Sequence, residues 1–251
     1  MRILIVLLCA VLVLTVLSHS ARAAEYYLSP DGDDNAVGDR DNPWLSISRA
    51  NETLEPADTA VFLPGDYTGT IEPQRSGTPD APITYRSARP WAARLVADGV
   101  SMLMKFNGHE HIIIEGFEVD GQGTSGWFDI ADCHYLTIRG CTMRRARPTL
   151  SIRNCTHIKL LDNVFSKDTA TGDTLRPLNC SQMLIEGNSF TRVGHCPLVL
   201  QEMVESVVRG NVFRAEWGRN YSFWASGRLL IEGNIITRAR DSAWSADPVA
   251  K

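Results

Sequence analysis

The hydrophobic pattern between residues 111 and 236 repeats one short phrase six times. Each copy alternates apolar and polar residues up to a pivot Gly or Asp, and three positions later it returns to an apolar residue. The pivots are 24, 22, 25, 23 and 23 residues apart, and they are Gly116, Gly140, Asp162, Gly187, Gly210 and Gly233. Period-2 strands that recur at this interval predict a parallel β-solenoid of about 22–25 residues per coil, in which each repeat position forms a column.

Four positions around each pivot are predicted to face the interior, because alternate side chains of a strand share a face. The position after the pivot is predicted to form an internal amide ladder of Asn163, Asn188, Asn211 and Asn234. Seven residues before the pivots, three copies carry a cysteine, which packs well as a small buried hydrophobe. We therefore interpret this column as core packing rather than as a metal or redox site.

The segments outside the repeat have their own patterns. Residues 1–24 have a basic start, an apolar core and a small-residue cleavage site, which indicates a secretory signal peptide. Residues 25–58 are predicted to form an N-terminal strand and cap, with a short amphipathic helix within 44–54. The solenoid is assigned to residues 59–236. Residues 237–251 are predicted to be a loop-like tail without a cap, which suggests that the C-terminus is truncated or pairs with another molecule.

The composition and charge of the chain after residue 24 indicate one exported, mildly acidic domain. Without Arg2 and Arg22, 23 basic and 29 acidic residues remain, a net charge of −6. Such a chain is not expected to bind nucleic acid or to span a membrane, and we expect a monomer unless its open end pairs. Five cysteines follow the leader at spacings of 8, 14, 25 and 16, which match no zinc signature. We expect mostly buried thiols.

The N-terminal block carries a family resemblance. YYLSPDGDDNAVGDRDNPW (26–44), AVFLPGDYTGTI (60–71) and SGTPDAPITYRS (76–87) resemble the opening of secreted β-helix proteins that act on polysaccharides. The similar proteins are the chondroitinase B and alginate lyase group and the wider pectate-lyase-like superfamily. The resemblance implies a single-domain, all-β, right-handed parallel β-helix and a secreted or periplasmic location.

The resemblance also implies a class of chemistry. Lyases of this group neutralise a uronate carboxylate with calcium or arginine, and use lysine or arginine as the base. No lyase motif matches this chain residue by residue. We therefore predict an exported protein that acts on an acidic polysaccharide by β-elimination. A glycoside hydrolase on the same scaffold and a non-catalytic glycan-binding surface protein remain alternatives.

Outward positions on the strand before the cysteine column supply the candidate catalytic residues. A basic or acidic side chain stands there on four successive rungs, close enough to act on one sugar chain. An arginine would bind the uronate carboxylate and a lysine would take the α-proton. The predicted set consists of Lys105, Asp129, Arg153 and Arg176, with Lys167 and His195 from the following loops. A surface ladder of ion pairs is the structural alternative.

Two further groups complete the candidate site. A basic edge and two rung residues are predicted to bind the polyanion: Arg145, Arg192, Arg238, Gln201 and Trp224, the last by stacking on a sugar. A column of oxygen-bearing residues at a bend is a candidate Ca²⁺ site, with turn formation as the alternative: Asp132, Asn154, Asn179 and Glu202.

Overall fold

The computed structural model describes residues 23–124, 126–145, 150–167, 173–193, 196–215, 221–224 and 227–238. In that part of the chain, one helix and 23 strands form a solenoid with three parallel sheets. A coil passes through sheet C, then sheet A, then sheet B, and the corresponding strands of successive coils are called rungs. The predicted solenoid architecture is confirmed. The predicted signal peptide lies almost entirely outside the described residues, as does most of the C-terminal tail.

Each sheet takes one strand from each coil that it crosses. Sheet A consists of β1 (Glu25–Leu28), β2 (Thr59–Phe62), β4 (Ile83–Ser87), β7 (Ile112–Glu115), β10 (Thr137–Arg139), β13 (Lys159–Leu161), β16 (Leu184–Glu186), β19 (Val204–Arg209) and β22 (Gly227–Glu232). Sheet B consists of β3 (Gly65–Tyr67), β5 (Ala93–Val96), β8 (Glu118–Asp120), β11 (Thr142–Arg144), β14 (Val164–Ser166), β17 (Ser189–Val193), β20 (Val212–Ala215) and β23 (Ile235–Arg238). Sheet C consists of β6 (Met102–Asn107), β9 (Gly126–Ala131), β12 (Leu150–Arg153), β15 (Leu175–Leu178), β18 (Leu198–Gln201) and β21 (Tyr221–Trp224).

The register between rungs is the one that the repeat predicts. In sheet A, Ile138 is paired with Ile114 on one side and with Leu160 on the other. The next rungs add Ile185 and Val208 to the same column, and all five side chains are buried. The interior is therefore built from columns of equivalent repeat positions.

The pivots have a left-handed backbone. Their φ angles lie between 54° at Asp162 and 73° at Gly116. Glycine adopts this conformation without steric cost, and Asp tolerates it better than most residues. At Gly187 a Cβ atom would also lie 2.2 Å from Oδ1 of Asp162. These constraints explain why the pivot of each copy is Gly or Asp.

The internal amide ladder is confirmed. Nδ2 of Asn163 donates to Oδ1 of Asn188 at 3.0 Å, and Asn188 and Asn211 donate in the same way to the next asparagine. Beside the ladder, the rings of Phe165, Phe190 and Phe213 stack at centroid distances of 4.9 and 4.8 Å. The ladder places amides in the core with their hydrogen bonds satisfied, as buried polar groups require.

The N-terminal cap contains a shorter helix than the amphipathic pattern of 44–54 suggests. Helix α1 (Ile47–Thr53) begins after Ser46, whose side chain accepts a hydrogen bond from the backbone N–H of Arg49 at 3.1 Å. Trp44 lies outside it, because its backbone pairs with Leu28 of β1. Among the described residues, no helix is long and apolar enough to cross a bilayer.

None of the five cysteines of the described chain forms a disulfide, and all five are buried. Cys133, Cys155 and Cys180 stack along one column. The backbone N–H of Cys133 donates to Sγ of Cys155, and the backbone N–H of Cys155 donates to Sγ of Cys180, both at 3.4 Å. Burial raises the pKa of the Cys141 thiol to about 12. The column is therefore part of the packed core, as the pattern predicts.

We expect these thiols to be unreactive in the native protein, because a thiol-specific reagent needs access and a thiolate. Ellman's reagent should label less than about one thiol per folded molecule, and all five after denaturation. A hydrogen bond with Cys155 lowers the pKa of Cys180, so any slow native labelling should begin at Cys180. Rapid labelling of several thiols in the native state would contradict the packed column.

Candidate functional site

The outward positions of β6, β9, β12, β15 and β18 form a polar surface that we call the sheet C face. Lys105 is paired with Asp129, and Arg176 with Ser151, so these residues belong to one column. Arg153 is paired with Ala131, and it lies two positions further along the strand in the neighbouring column. The prediction that Lys105, Asp129, Arg153 and Arg176 stand on successive rungs is therefore confirmed.

Two cations of the sheet C face have carboxylate partners. Arg153 contacts Oδ1 of Asp129 at 2.9 Å and also donates to the hydroxyl of Ser151. Lys105 lies farther from its partner, with Nζ 3.7 Å from Oε2 of Glu72. These are partly exposed pairs, each contributing less than about 1 kcal/mol to stability. They hold the side chains in a row along the solenoid axis.

Arg176 differs from its neighbours. Its guanidinium donates to Oε1 of Gln201 at 2.7 Å, and the residue is exposed. Among the cations of this face in the described chain, Arg176 alone lacks a carboxylate partner. A guanidinium with free donors can bind an external carboxylate through two parallel hydrogen bonds. The structure thus places an available anion-binding group at one end of the polar row.

Glu72 belongs to this face although the repeat pattern did not indicate it. It precedes the first clear copy, and the bridge between Ile71 and Met104 places it beside Lys105. Asn51 of α1 fixes its backbone by accepting a hydrogen bond from the Glu72 N–H at 3.1 Å. Aligning the isolated Ile71 with Met104 of β6 would have revealed Glu72 in the sequence.

The predicted basic edge is partly neutralised by the protein itself. Arg145 donates from Nε to Oδ1 of Asp120 at 2.8 Å, and a second ion pair joins the same two groups. Lys167 is almost completely buried, and its Nζ donates to the carbonyl oxygen of Asp173 at 2.8 Å. Neither side chain is therefore presented to a ligand as a free cation.

The other predicted substrate-binding residues have different positions. Arg192 is exposed and lies near the C-terminal end of β17 in sheet B. Gln201 lies next to Arg176 on the sheet C face, and the backbone of Trp224 pairs with Gln201 one rung further on. The side chains of Trp224 and Arg238 and the whole of His195 lie outside what the structure describes.

Asp120 is the most deeply buried carboxylate near this edge, with 1% of its side chain exposed. Burial opposes its ionisation, but hydrogen bonds from Arg145 and the Gln122 N–H, with the charges of Arg145 and Arg144, more than offset that cost. The pKa of Asp120 is therefore held below its usual value. This pair anchors the strand end on which Arg144 and Arg145 stand.

The column proposed for calcium forms a second, external ladder. Nδ2 of Asn154 donates to Oδ1 of Asp132 at 3.0 Å, and Nδ2 of Asn179 donates to Oδ1 of Asn154 at 2.9 Å. All four residues have φ between 51° and 55°, including Glu202. Asp132 and Glu202 are three rungs apart, about 14 Å, which is too far for both carboxylates to bind one ion.

The described chain contains no group of three or more His, Cys, Asp or Glu residues that could hold a metal ion. The geometry of the external ladder is that of left-handed bends stabilised by side-chain amides, where Asn and Asp are favoured. Turn formation therefore accounts for the residues of this column, and Ca²⁺ binding by the column stays a prediction.

Comparison with known proteins agrees with this architecture. The model of the right-handed β-helix region matches residues 103–247, more than half of the chain. Pectate lyase PEL9 of Emericella nidulans is 38% identical over 80 residues, which are 31% of this chain and 20% of that protein. The matched segments span about a fifth of the length of the curated relatives.

Solved structures are similar in fold at low sequence identity. A lacto-N-biosidase from Eubacterium ramulus has a TM-score of 0.61 at 13% identity, covering 85% of this chain and 56% of that chain. An alginate lyase from Paenibacillus sp. str. FPU-7 has a TM-score of 0.52 at 12% identity, covering 87% of this chain and 97% of that chain. Together with the coil geometry and the matching family model, this likeness shows that the chain belongs to the right-handed β-helix family, with a pectate-lyase-like fold.

Proposed function

We propose that this protein is an exported carbohydrate-active protein that binds an acidic, uronate-containing polysaccharide along the sheet C face and cleaves it by β-elimination. The observation that carries the proposal is Arg176, an exposed guanidinium without a carboxylate partner at one end of a row of polar side chains. A pectate lyase among the relatives and an alginate lyase among the fold neighbours support the substrate class. The leader-like residues 1–24 support export.

The row suits a linear polyanion because its members repeat at the rung spacing of about 4.8 Å along the axis. Arg176 would bind the carboxylate of one sugar, with Gln201 holding the guanidinium in place. Lys105 lies three rungs away, about 14 Å in Cα position, so it would contact a different part of the same chain. An extended substrate would therefore lie parallel to the solenoid axis.

In β-elimination a base removes the proton α to the uronate carboxylate. The released electron pair forms a carbon–carbon double bond, and the glycosidic bond to the leaving oxygen breaks. A guanidinium on the carboxylate stabilises the negative charge that develops there. We assign this charge-stabilising role to Arg176 or Arg153, and the base to Lys105. Lys105 can act as the base for a carboxylate held by Arg153, which is two rungs away, whereas Arg176, three rungs away, would bind the carboxylate of a neighbouring sugar. Arg153 is the less available of the two arginines, since Asp129 already holds it.

A hydrolase is the second candidate, and one observation favours it. Glu72 and Asp129 both flank Lys105 in the same outward column, two rungs apart. This places their Cα atoms about 10 Å apart. Carboxyl groups about 6.5–9.5 Å apart are the arrangement of inverting glycosidases. Long side chains could bring these two carboxyl groups into that range.

The test is to incubate the protein with alginate, pectate and chondroitin sulfate, with and without Ca²⁺. β-Elimination produces an unsaturated uronate, which is followed by its ultraviolet absorbance. Arg176→Ala should lower kcat/KM by roughly 10–150-fold, since hydrogen bonds to a charged group are worth about 1.5–3 kcal/mol. Arg139→Ala is the matched control, because Arg139 pairs with Glu115 on sheet A and should have no effect.

Other results would redirect the assignment. New reducing ends without ultraviolet absorbance, lost in Asp129→Asn, would support the hydrolase. Salt-sensitive binding without any product would support a non-catalytic glycan-binding protein. Equal activity of Arg176→Ala and the parent would remove the sheet C face from the mechanism. Activity only with Ca²⁺ would establish a metal requirement.

A further inference from the structure

A depression of about 380 Å³ lies at the N-terminal end of the solenoid, on the outer surface of sheet A. Three arginines and one tyrosine supply its polar lining: Arg40, Arg86, Arg89 and Tyr27. Apolar and small residues at and after the ends of β2 and β4 line the rest. We call this depression the arginine cleft. It is distinct from the sheet C face, with which it shares no residue.

The strand register builds one wall of the arginine cleft. Tyr27 of β1 is paired with Val61 of β2, which is paired with Arg86 of β4. These three residues are equivalent positions on successive rungs, so their side chains leave the sheet on the same side. The aromatic ring and one guanidinium are therefore held at a spacing set by the sheet.

Arg40 reaches the cleft from a loop that is fixed to β1. The Tyr27 N–H donates to the carbonyl oxygen of Gly38 at 2.7 Å, and the Gly38 N–H donates to that of Asn42 at 3.0 Å. Inside this turn, the Asp39 carboxylate accepts from the Asn42 N–H at 2.8 Å. The backbone that carries Arg40 is thus held beside Tyr27.

Arg89 is fixed from the other side. Its carbonyl oxygen accepts from the Ser87 hydroxyl at 2.6 Å and from the Ala92 N–H at 3.1 Å. The same hydroxyl oxygen accepts from the Ala93 N–H at 3.0 Å. The turn after β4 is therefore rigid, and it holds the Cα of Arg89 at the rim of the cleft.

The cleft has an excess of positive charge. Glu25 accepts from Arg86 at 2.6 Å and from the Tyr27 hydroxyl at 2.7 Å, so it balances one arginine. Within the described chain, the guanidinium groups of Arg40 and Arg89 contact no acceptor. Two cations therefore face one depression without a protein carboxylate to neutralise them.

We propose that the arginine cleft is a second anion-binding site, which binds the carboxylate of an acidic sugar. Planar guanidinium groups form paired hydrogen bonds with a carboxylate, and the apolar lining can cover the C–H face of a sugar ring. The volume is within the usual range for a small-molecule site. The choice of a sugar as carrier rests on the proposed function, whereas the anion chemistry rests on the cleft alone. A sulfate ester has related chemistry, and the test separates the two.

The probe is a short galacturonate oligosaccharide, titrated calorimetrically into the Arg176→Ala protein, in which the sheet C face has lost its exposed guanidinium without a carboxylate partner. Adding Arg40→Gln and Arg89→Gln should weaken binding at least tenfold. Adding Arg139→Gln instead should leave it unchanged. Arg40→Lys with Arg89→Lys should give an intermediate loss, since charge remains but paired hydrogen bonding does not. A sulfated galactose oligosaccharide and neutral galactose are titrated alongside.

Unchanged galacturonate binding in the double glutamine variant, at an unchanged melting temperature, would overturn the proposal. Equal binding of the neutral sugar would also overturn it. Tighter binding of the sulfated sugar than of galacturonate would replace the carboxylate by a sulfate ester as the ligand group. Because binding is measured without turnover, a protein that cleaves no polysaccharide could still pass this test, so the two proposals fail separately.

Discussion

Replacing Asn188 by leucine is expected to destabilise the solenoid by about 3–5 kcal/mol, because several buried groups would lose their partners at once. Oδ1 of Asn188 accepts from both the backbone N–H and Nδ2 of Asn163. Its Nδ2 donates to Asn211 and to the carbonyl oxygen of Leu160. Each buried polar group left without a partner costs about 1–3 kcal/mol.

The measurement is the free energy of unfolding from urea denaturation, and the chain offers a matched control. Asn154 belongs to the external ladder and makes a similar amide-to-oxygen hydrogen bond, but it is exposed. Water can replace its lost bonds, so Asn154→Leu should cost only about 1–2 kcal/mol, largely because leucine fits its left-handed backbone poorly. Equal losses in the two variants would show that burial does not determine the strength of the ladder.

Replacing Asp120 by asparagine is expected to cost about 3 kcal/mol, because the variant removes one partner of a buried ion pair. Asp120 is buried under Arg145 and Arg144, and its carboxylate also accepts from the Gln122 N–H at 3.0 Å. Asp66→Asn is the control, since Asp66 pairs with Arg94 in a similar way but is largely exposed. That variant should lose less than about 1 kcal/mol.

The effect of Asp120 should depend on pH in a defined direction. Its pKa is lower in the folded state than its unfolded value of about 3.9, so folding favours the ionised form. The stabilisation is complete above that unfolded value and is lost as pH falls through the folded pKa. The difference in unfolding free energy between the parent and Asp120→Asn should therefore shrink below about pH 4. A constant difference from pH 7 to pH 2 would contradict the ionic origin.

The coil register could be predicted from the sequence because two local rules act together. Alternation along a strand decides which side chains are interior, and the left-handed pivot favours Gly or Asp. Ile138, Leu160 and Asn188 occupy the columns that these rules indicate. The same alternation identified the outward positions of Lys105, Asp129 and Arg176. The face on which a side chain lies therefore follows from its position in the repeat.

The availability of a charged side chain could not be predicted in this way. Lys167 and Arg145 fall on the same loop position of the repeat, yet one is buried against a carbonyl and the other pairs with Asp120. These contacts depend on loop conformation and on side chains from other coils. For the same reason Glu72 was missed, since its coil has no recognisable pivot and only the bridge to Met104 reveals its neighbour.

The repeat pattern alone is sufficient to predict the solenoid, its period, its internal columns and the face on which the polar row lies. These properties arise from period-2 alternation and from a backbone conformation that few residues adopt. Which charges are neutralised and which remain available follows from the folded chain. In the folded chain Asp129 pairs with Arg153, and Arg176 has no carboxylate partner among the described residues. Arg40, Arg86 and Arg89 line one cleft. Ion pairing depends on distances between residues far apart in the chain, and a local pattern does not contain those distances.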